Sequence, residues 1–151
     1  GMVTFIGKAT AKLDDKGRMV FPSLFKSAVP EGEEMTFVVH KDIHSDCLEM
    51  YTFPEWQRQS EAVKSRLDLL DNRHAAFWRR YMLERAVVTP DPKLGRITIP
   101  AELLEKIGVT KEVVFLGGDY KIEIWAKEKF EAQLLSDDDY RSMAEELSRT
   151  R

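Results

Sequence analysis

Short apolar runs and polar turns follow one another along this chain, and the same succession occurs twice. Residues 5–13 suit an extended segment, and Asp14-Asp15-Lys16-Gly17 then supplies a tight reversal in which glycine accepts a positive φ. Met19-Val20-Phe21 reads as a short strand. Pro22 fits a helix's first turn, where its missing N–H would have had no partner, so residues 23–28 form a short helix ended near Pro30-Glu31-Gly32. Residues 35–39 and 47–51 read as strands separated by a polar stretch. The later part repeats this order. Residues 86–89 are extended, 90–95 turn, and Ile97-Thr98-Ile99 is a strand. Pro100 opens a helix over 101–107 with Gly108 just past its end. Residues 112–116 and 121–125 form a hairpin around Gly117-Gly118-Asp119.

Helical spacing fills the remainder. Residues 54–86 are mainly helical, with Trp56, Val63, Leu67 and Leu70 on one face. Asp71-Asn72 interrupts the run and caps a second helix at Arg73, which carries Phe77, Trp78, Tyr81 and Met82 as core or as subunit contacts. Asp137 to Asp139 cap a last amphipathic helix holding Tyr140, Met143 and Leu147. The two hairpins match as Phe37 with Phe115, Glu49 with Glu123 and Tyr51 with Trp125, and the helices behind them as Trp56 with Phe130 and Gln59 with Gln133. The first hairpin's loop is a few residues longer. This organisation is α+β: a first repeat over 2–53, a helical connector over 54–85, a second repeat over 86–135 and a helical extension over 136–151. The strands are too short to bury a core alone, so the halves are expected to interlock.

Composition narrows the function. In 151 residues no apolar stretch approaches the roughly 20 needed to span a bilayer, and no signal peptide is evident. A single cysteine, Cys47, rules out an intrachain disulfide and suits a reducing cytoplasm. A net charge of -3 argues against indiscriminate coating of nucleic acid, yet Lys8, Lys12, Lys16, Arg18 and Lys26 crowd the front while acidic residues crowd the tail. His40, His44 and Cys47 have a spacing that metals use, but they fall across a strand end and a loop and lack a fourth ligand. A buried thiol is the default for Cys47. No nucleophile elbow, phosphate loop or zinc-protease helix is present, so neither an enzyme, a metal, a cofactor nor a small-molecule substrate is expected.

The most specific signal is a repeated phrase, LDDKGRMVFP and later PKLGRITIP, joined by the hairpin EVVFLGGDYKIEIW and by PEW at the start of the central helix. Together these residues resemble the MraZ family of bacterial transcriptional regulators of the cell-division and cell-wall gene cluster, over nearly the whole chain. The resemblance implies two tandem AbrB/SpoVT-like swapped-hairpin units forming a double-split β-barrel with helices packed outside. It also implies a homo-oligomeric ring that binds short promoter repeats on double-stranded DNA, in the cytoplasm and associated with the nucleoid. The family's signature is an aspartate followed, after three intervening residues, by arginine. Asp14 and Arg18 match it. Counting back from Arg96 lands on Pro92, so either Leu94 is an insertion that keeps Asp91 in role or the second turn has lost its acid.

A carboxylate beside such a turn can hold the guanidinium by charge-assisted hydrogen bonds, and the planar fork then suits phosphate or a guanine edge. Arg18 and Arg96 are therefore the expected DNA contacts, with Asp14 and Asp91 as orienting acids. Lys8, Lys12, Lys16 and Lys93 would add phosphate contacts, which position without reading sequence. The better-ordered contact is expected at the first turn. A different class, an antitoxin-like module acting on a protein partner, is weakened by the short amphipathic tail.

Overall fold

The computed structural model describes residues 3–149, so the outer boundaries at Met2 and Arg151 lie outside the described residues. The first half contains β1 (Lys8–Lys12), β2 (Arg18–Val20), α1 (Ser23–Lys26), β3 (Phe37–Lys41), β4 (Cys47–Thr52) and α2 (Phe53–Lys64). α3 (Asn72–Leu83) leads into the second half: β5 (Ala86–Val88), β6 (Arg96–Thr98), α4 (Ala101–Lys106), β7 (Glu112–Gly117), β8 (Ile122–Ala126), α5 (Lys127–Gln133) and α6 (Asp137–Arg149). The fold is mixed α+β.

Strand pairing crosses between the halves. A six-stranded antiparallel sheet runs β1-β7-β8-β4-β3-β5, and β2 pairs with β6 in a separate two-stranded ribbon. Each half therefore lends its first strand to the other half's hairpin. The two glutamates matched by sequence are direct partners across β4 and β8 (Glu49↔Glu123), and Met19 faces Ile97 across the ribbon. A local twofold relating the halves passes through both places.

Alternation along the strands sorts the sheet's two faces. Phe37, Val39, Leu48, Met50, Val113, Phe115, Ile122 and Ile124 point into the main core, which Met19, Ile97, Phe25 and Leu104 close from the ribbon and the short helices. On the other face Cys47, Val114, Trp125 and Phe130 form a second cluster under α5. Gly117 ends β7 where the chain crosses the segment leading into β1. A Cβ there would lie 2.6 Å from the backbone of Phe5 and Ile6, so a side chain is excluded. The positive φ of that hairpin belongs to Asp119 (72°), not to either glycine.

Several expectations change. The register β3 to β4 (Phe37↔Thr52) and β7 to β8 (Val113↔Ala126) aligns Phe37 with Val113 and Val39 with Phe115, two positions away from the aromatic match. α2 ends at Lys64 with Ser65 as its C-cap, so Leu67 and Leu70 leave the helical face and Leu70 is 95% exposed. Asp71 does cap α3, accepting from Arg73 N at 2.8 Å. None of that helix's residues is buried, so Phe77, Trp78, Tyr81 and Met82 are not interior core. The last helix is capped by Ser136, whose Oγ accepts from Asp139 N at 3.1 Å, while the aspartates fill the first turn and favour it electrostatically.

Candidate nucleic-acid interface

The arginine turns are built from their carboxylates outward. Asp14 Oδ1 accepts from Lys16 N (2.9 Å) and Arg18 N (2.8 Å), while Oδ2 accepts from Arg18 Nε (2.8 Å). The backbone closes as Asp14 N donates to Arg18 O at 2.8 Å. Gly17 supplies the required positive φ of 76°. In the second turn Asp91 N donates to Arg96 O at 2.9 Å, and Gly95 holds φ at 66°. Asp91 Oδ1 accepts from Lys93 N (3.0 Å) and Leu94 N (2.7 Å), and Oδ2 from Arg96 N (2.9 Å) and Arg96 Nε (3.4 Å). Leu94 is thus the extra residue of a turn in which Asp91 bonds Arg96 as Asp14 bonds Arg18. The extra residue is absorbed by donating its own N–H to the carboxylate.

These bonds all favour the charged acid. The Arg18 amide leads in holding Asp14 below the usual carboxylate range, and the Leu94 amide leads in bringing Asp91 to about 2. Both carboxylates therefore stay ionised beside their arginines at neutral pH.

β2 and β6 place the two arginines on one surface. Met19 and Ile97 point inward and are fully buried, so Arg18, Val20, Arg96 and Thr98 all point outward. Arg18 lies opposite Thr98 and Val20 opposite Arg96. The arginines are therefore diagonal neighbours, for which strand geometry gives roughly 7–8 Å. Both line one shallow concavity of about 520 Å³ with Asp91, Lys93 and Thr98. Among the described residues each guanidinium is bonded only through Nε, which leaves the Nη hydrogens of both forks for a partner.

The lysines divide. Lys16 and Lys93 occupy corresponding places, two residues after their aspartates, and both are exposed. Lys12 lines the adjoining concavity beside Val20. Lys8 lies four residues back along β1, about 13 Å by strand geometry. Its Nζ sits 5.8 Å from the Phe130 ring on α5, away from the arginines. Thr98 was not singled out from sequence, although the alternation Arg-Ile-Thr already turns it to the arginine's face.

On the other side of the sheet, the facing glutamates carry a charged cluster. Lys121 Nζ bonds Glu49 and lies 3.5 Å from Glu123, Trp125 Nε1 donates to Glu123 at 3.0 Å, and His40 Nε2 is 3.4 Å from Glu49. Burial holds His40 below its ordinary value and pushes the Cys47 thiol up to about 12. Among the described residues no group of three His, Cys, Asp or Glu could hold a metal ion, and no helix is long and apolar enough to cross a membrane.

A swapped pair of repeats presenting two carboxylate-held arginines on one ribbon defines the class of protein. The chain belongs to the MraZ family: the family model described as "MraZ protein, putative antitoxin-like" matches residues 4–80 and 82–150. A relative from Bacteroides thetaiotaomicron, named Transcriptional regulator MraZ, is 33% identical over 146 residues, covering 97% of this chain and 93% of its own. Relatives of the same name from Dictyoglomus thermophilum (38% over 129 residues, 84% and 82% covered) and Lachnoclostridium phytofermentans (37% over 128 residues, 85% of each) are similarly close.

Proposed function

We propose that this chain is a sequence-specific DNA-binding transcriptional regulator. Its interlocked halves form a double-split barrel that presents Arg18 and Arg96 to promoter DNA. The observation that carries the reading is the shared outward face of β2 and β6, where both forks are restrained by carboxylates. Restraint lowers the side-chain entropy lost on binding. The arginines contact base edges or phosphates, while Lys12, Lys16 and Lys93 add phosphate contacts at the same end. Lys8, at the other end of β1, would add a phosphate contact farther from the ribbon.

One copy offers two arginines, and specific sites are bound some 10³–10⁷ times more tightly than bulk DNA. A homo-oligomer engaging several short repeats supplies that gap through effective concentration. Selection of bound duplexes from a random pool tests the reading. Short motifs recurring at regular spacing are expected, with binding that weakens steeply in salt, log K falling by about 0.9 per phosphate neutralised. Enrichment of no motif, together with a flat salt response, would sink the reading and favour a protein partner.

A further inference from the structure

The outward face of the ribbon has four side chains: Arg18, Val20, Arg96 and Thr98. The local twofold through Met19 and Ile97 exchanges the two arginines, and it exchanges Val20 with Thr98. Valine and threonine branch alike at Cβ and have nearly the same shape. They differ in one group, a methyl in the first half and a hydroxyl in the second. The ribbon is therefore symmetric in its charges and asymmetric on its other diagonal. The flanks continue the difference. Val20 is 56% exposed and lines a concavity of about 440 Å³ with Lys12, Pro22 and Leu24, the last 49% exposed. Pro22 corresponds to Pro100, so Leu24 corresponds to Glu102, an exposed acid. The apolar pair Val20 and Leu24 thus has the polar pair Thr98 and Glu102 as its counterpart.

A two-stranded ribbon fits the major groove of duplex DNA, where the C5 methyl of thymine is the apolar group on the base edges. Valine has no hydrogen-bonding group. Against a base amino or carbonyl group it removes water and returns no bond, which is costly. Against the thymine methyl it buries apolar surface on both sides. Threonine can donate, accept or offer its own methyl, so it is compatible with more than one base. Val20 faces Arg96 directly across the ribbon, and such pairs have Cα atoms roughly 4.5–5.5 Å apart. Bases on one DNA strand are about 3.4 Å apart, so the two side chains reach base pairs one or two steps from each other.

We propose that Val20 is a specificity-determining residue of the DNA contact: it packs on the C5 methyl of a thymine one or two base pairs from the contact of Arg96. Thr98, its counterpart beside Arg18, makes no such demand. The two halves of one copy accordingly read different bases, although their arginines are held alike. This inference rests on the proposed DNA contact of β2 and β6.

Exchange of thymine for deoxyuridine in the selected duplex tests it, because the exchange deletes the methyl and nothing else. With the full wild-type chain, exchange at one thymine of a single repeat is expected to weaken binding about fourfold, the worth of one buried methyl, and exchange elsewhere to change little. In Val20→Ala the same exchange should have no effect. Val20→Thr keeps the β-branch and makes the outward face symmetric. Selection with that variant should recover a motif with the same base preference beside both arginines. A wild-type motif without thymine, a flat exchange series, a methyl effect that survives in Val20→Ala, or an unchanged motif for Val20→Thr would overturn the inference. If Arg18→Ala bound the duplex as tightly as the wild type, the DNA contact and this inference would fall together. Failure of the inference alone leaves the arginine effect in place and removes only the methyl effect.

Discussion

The two halves of the chain agree at their turns and disagree where they meet. At the turns, three intervening residues in one half and four in the other reach the same end: an aspartate that bonds both the backbone and the Nε of its arginine. Around the facing glutamates the halves diverge. The β4 to β8 register makes Cys47 the counterpart of Lys121 and makes Tyr51 the counterpart of Trp125, and β3 to β7 makes His40 the counterpart of Leu116. One lysine serves both acids, and one histidine attends only the first. Duplicated sequence has kept the geometry of the exposed arginines alike, while the buried cluster is shared out unequally.

Four experiments test this contrast. The largest effect is expected at the turns. Arg18→Ala and Arg96→Ala should each cost about 1–3 kcal/mol of affinity for the selected duplex by fluorescence anisotropy, and the double variant more than either alone. If only one substitution weakens binding, the turns are not equivalent. Next comes Lys121→Ala, which leaves two half-buried carboxylates face to face. A loss of about 1–3 kcal/mol in urea unfolding is expected, reduced when Glu49→Gln is added. An unchanged midpoint would show that the lysine is dispensable.

A smaller effect concerns pH. His40 is held below its ordinary value by burial, so below about pH 6.5 the unfolded chain binds the proton more readily than the folded one. Stability should therefore fall as pH drops through that range, and His40→Leu, the residue of the other half, should flatten the slope. Equal slopes in both proteins would remove the histidine from the account. The smallest effect is predicted for deletion of Leu94, which restores the three-residue spacing. Its effect on DNA affinity should be far less than that of Arg96→Ala; a comparable loss would mean that the longer turn is itself used.

Local features were legible in the sequence because they are decided locally. Gly17, Gly95, Pro22 and Pro100 mark the turns and helix starts at which the structure puts them. The correspondence of Glu49 with Glu123 was also legible, since both strands repeat with a constant offset, but that the two face each other across β4 and β8 was not. Matching Phe37 to Phe115 failed because an aromatic can occupy either of two inward positions on one strand, and backbone register decides between them. Leu67 and Leu70 kept helical spacing on paper beyond the helix's actual end. Asp91 appeared out of place because residue counting ignores that a third amide, that of Leu94, can bond the same carboxylate. Partner choice between strands was the least legible property, because alternation says which side faces inward and nothing about which strand lies alongside.

The exchange of first strands also sets a schedule. Lys8 pairs with Leu116, so β1 has its partner only once β7 has been made. At roughly 5–20 residues per second, that is a wait of about 5–20 s after β1 emerges from the ribosome. During the same interval β3 has β4 beside it, but its other edge is open until β5 arrives. A nascent first half therefore carries both a strand without its edge and an edge without its strand. Completion of the sheet belongs to the last third of synthesis.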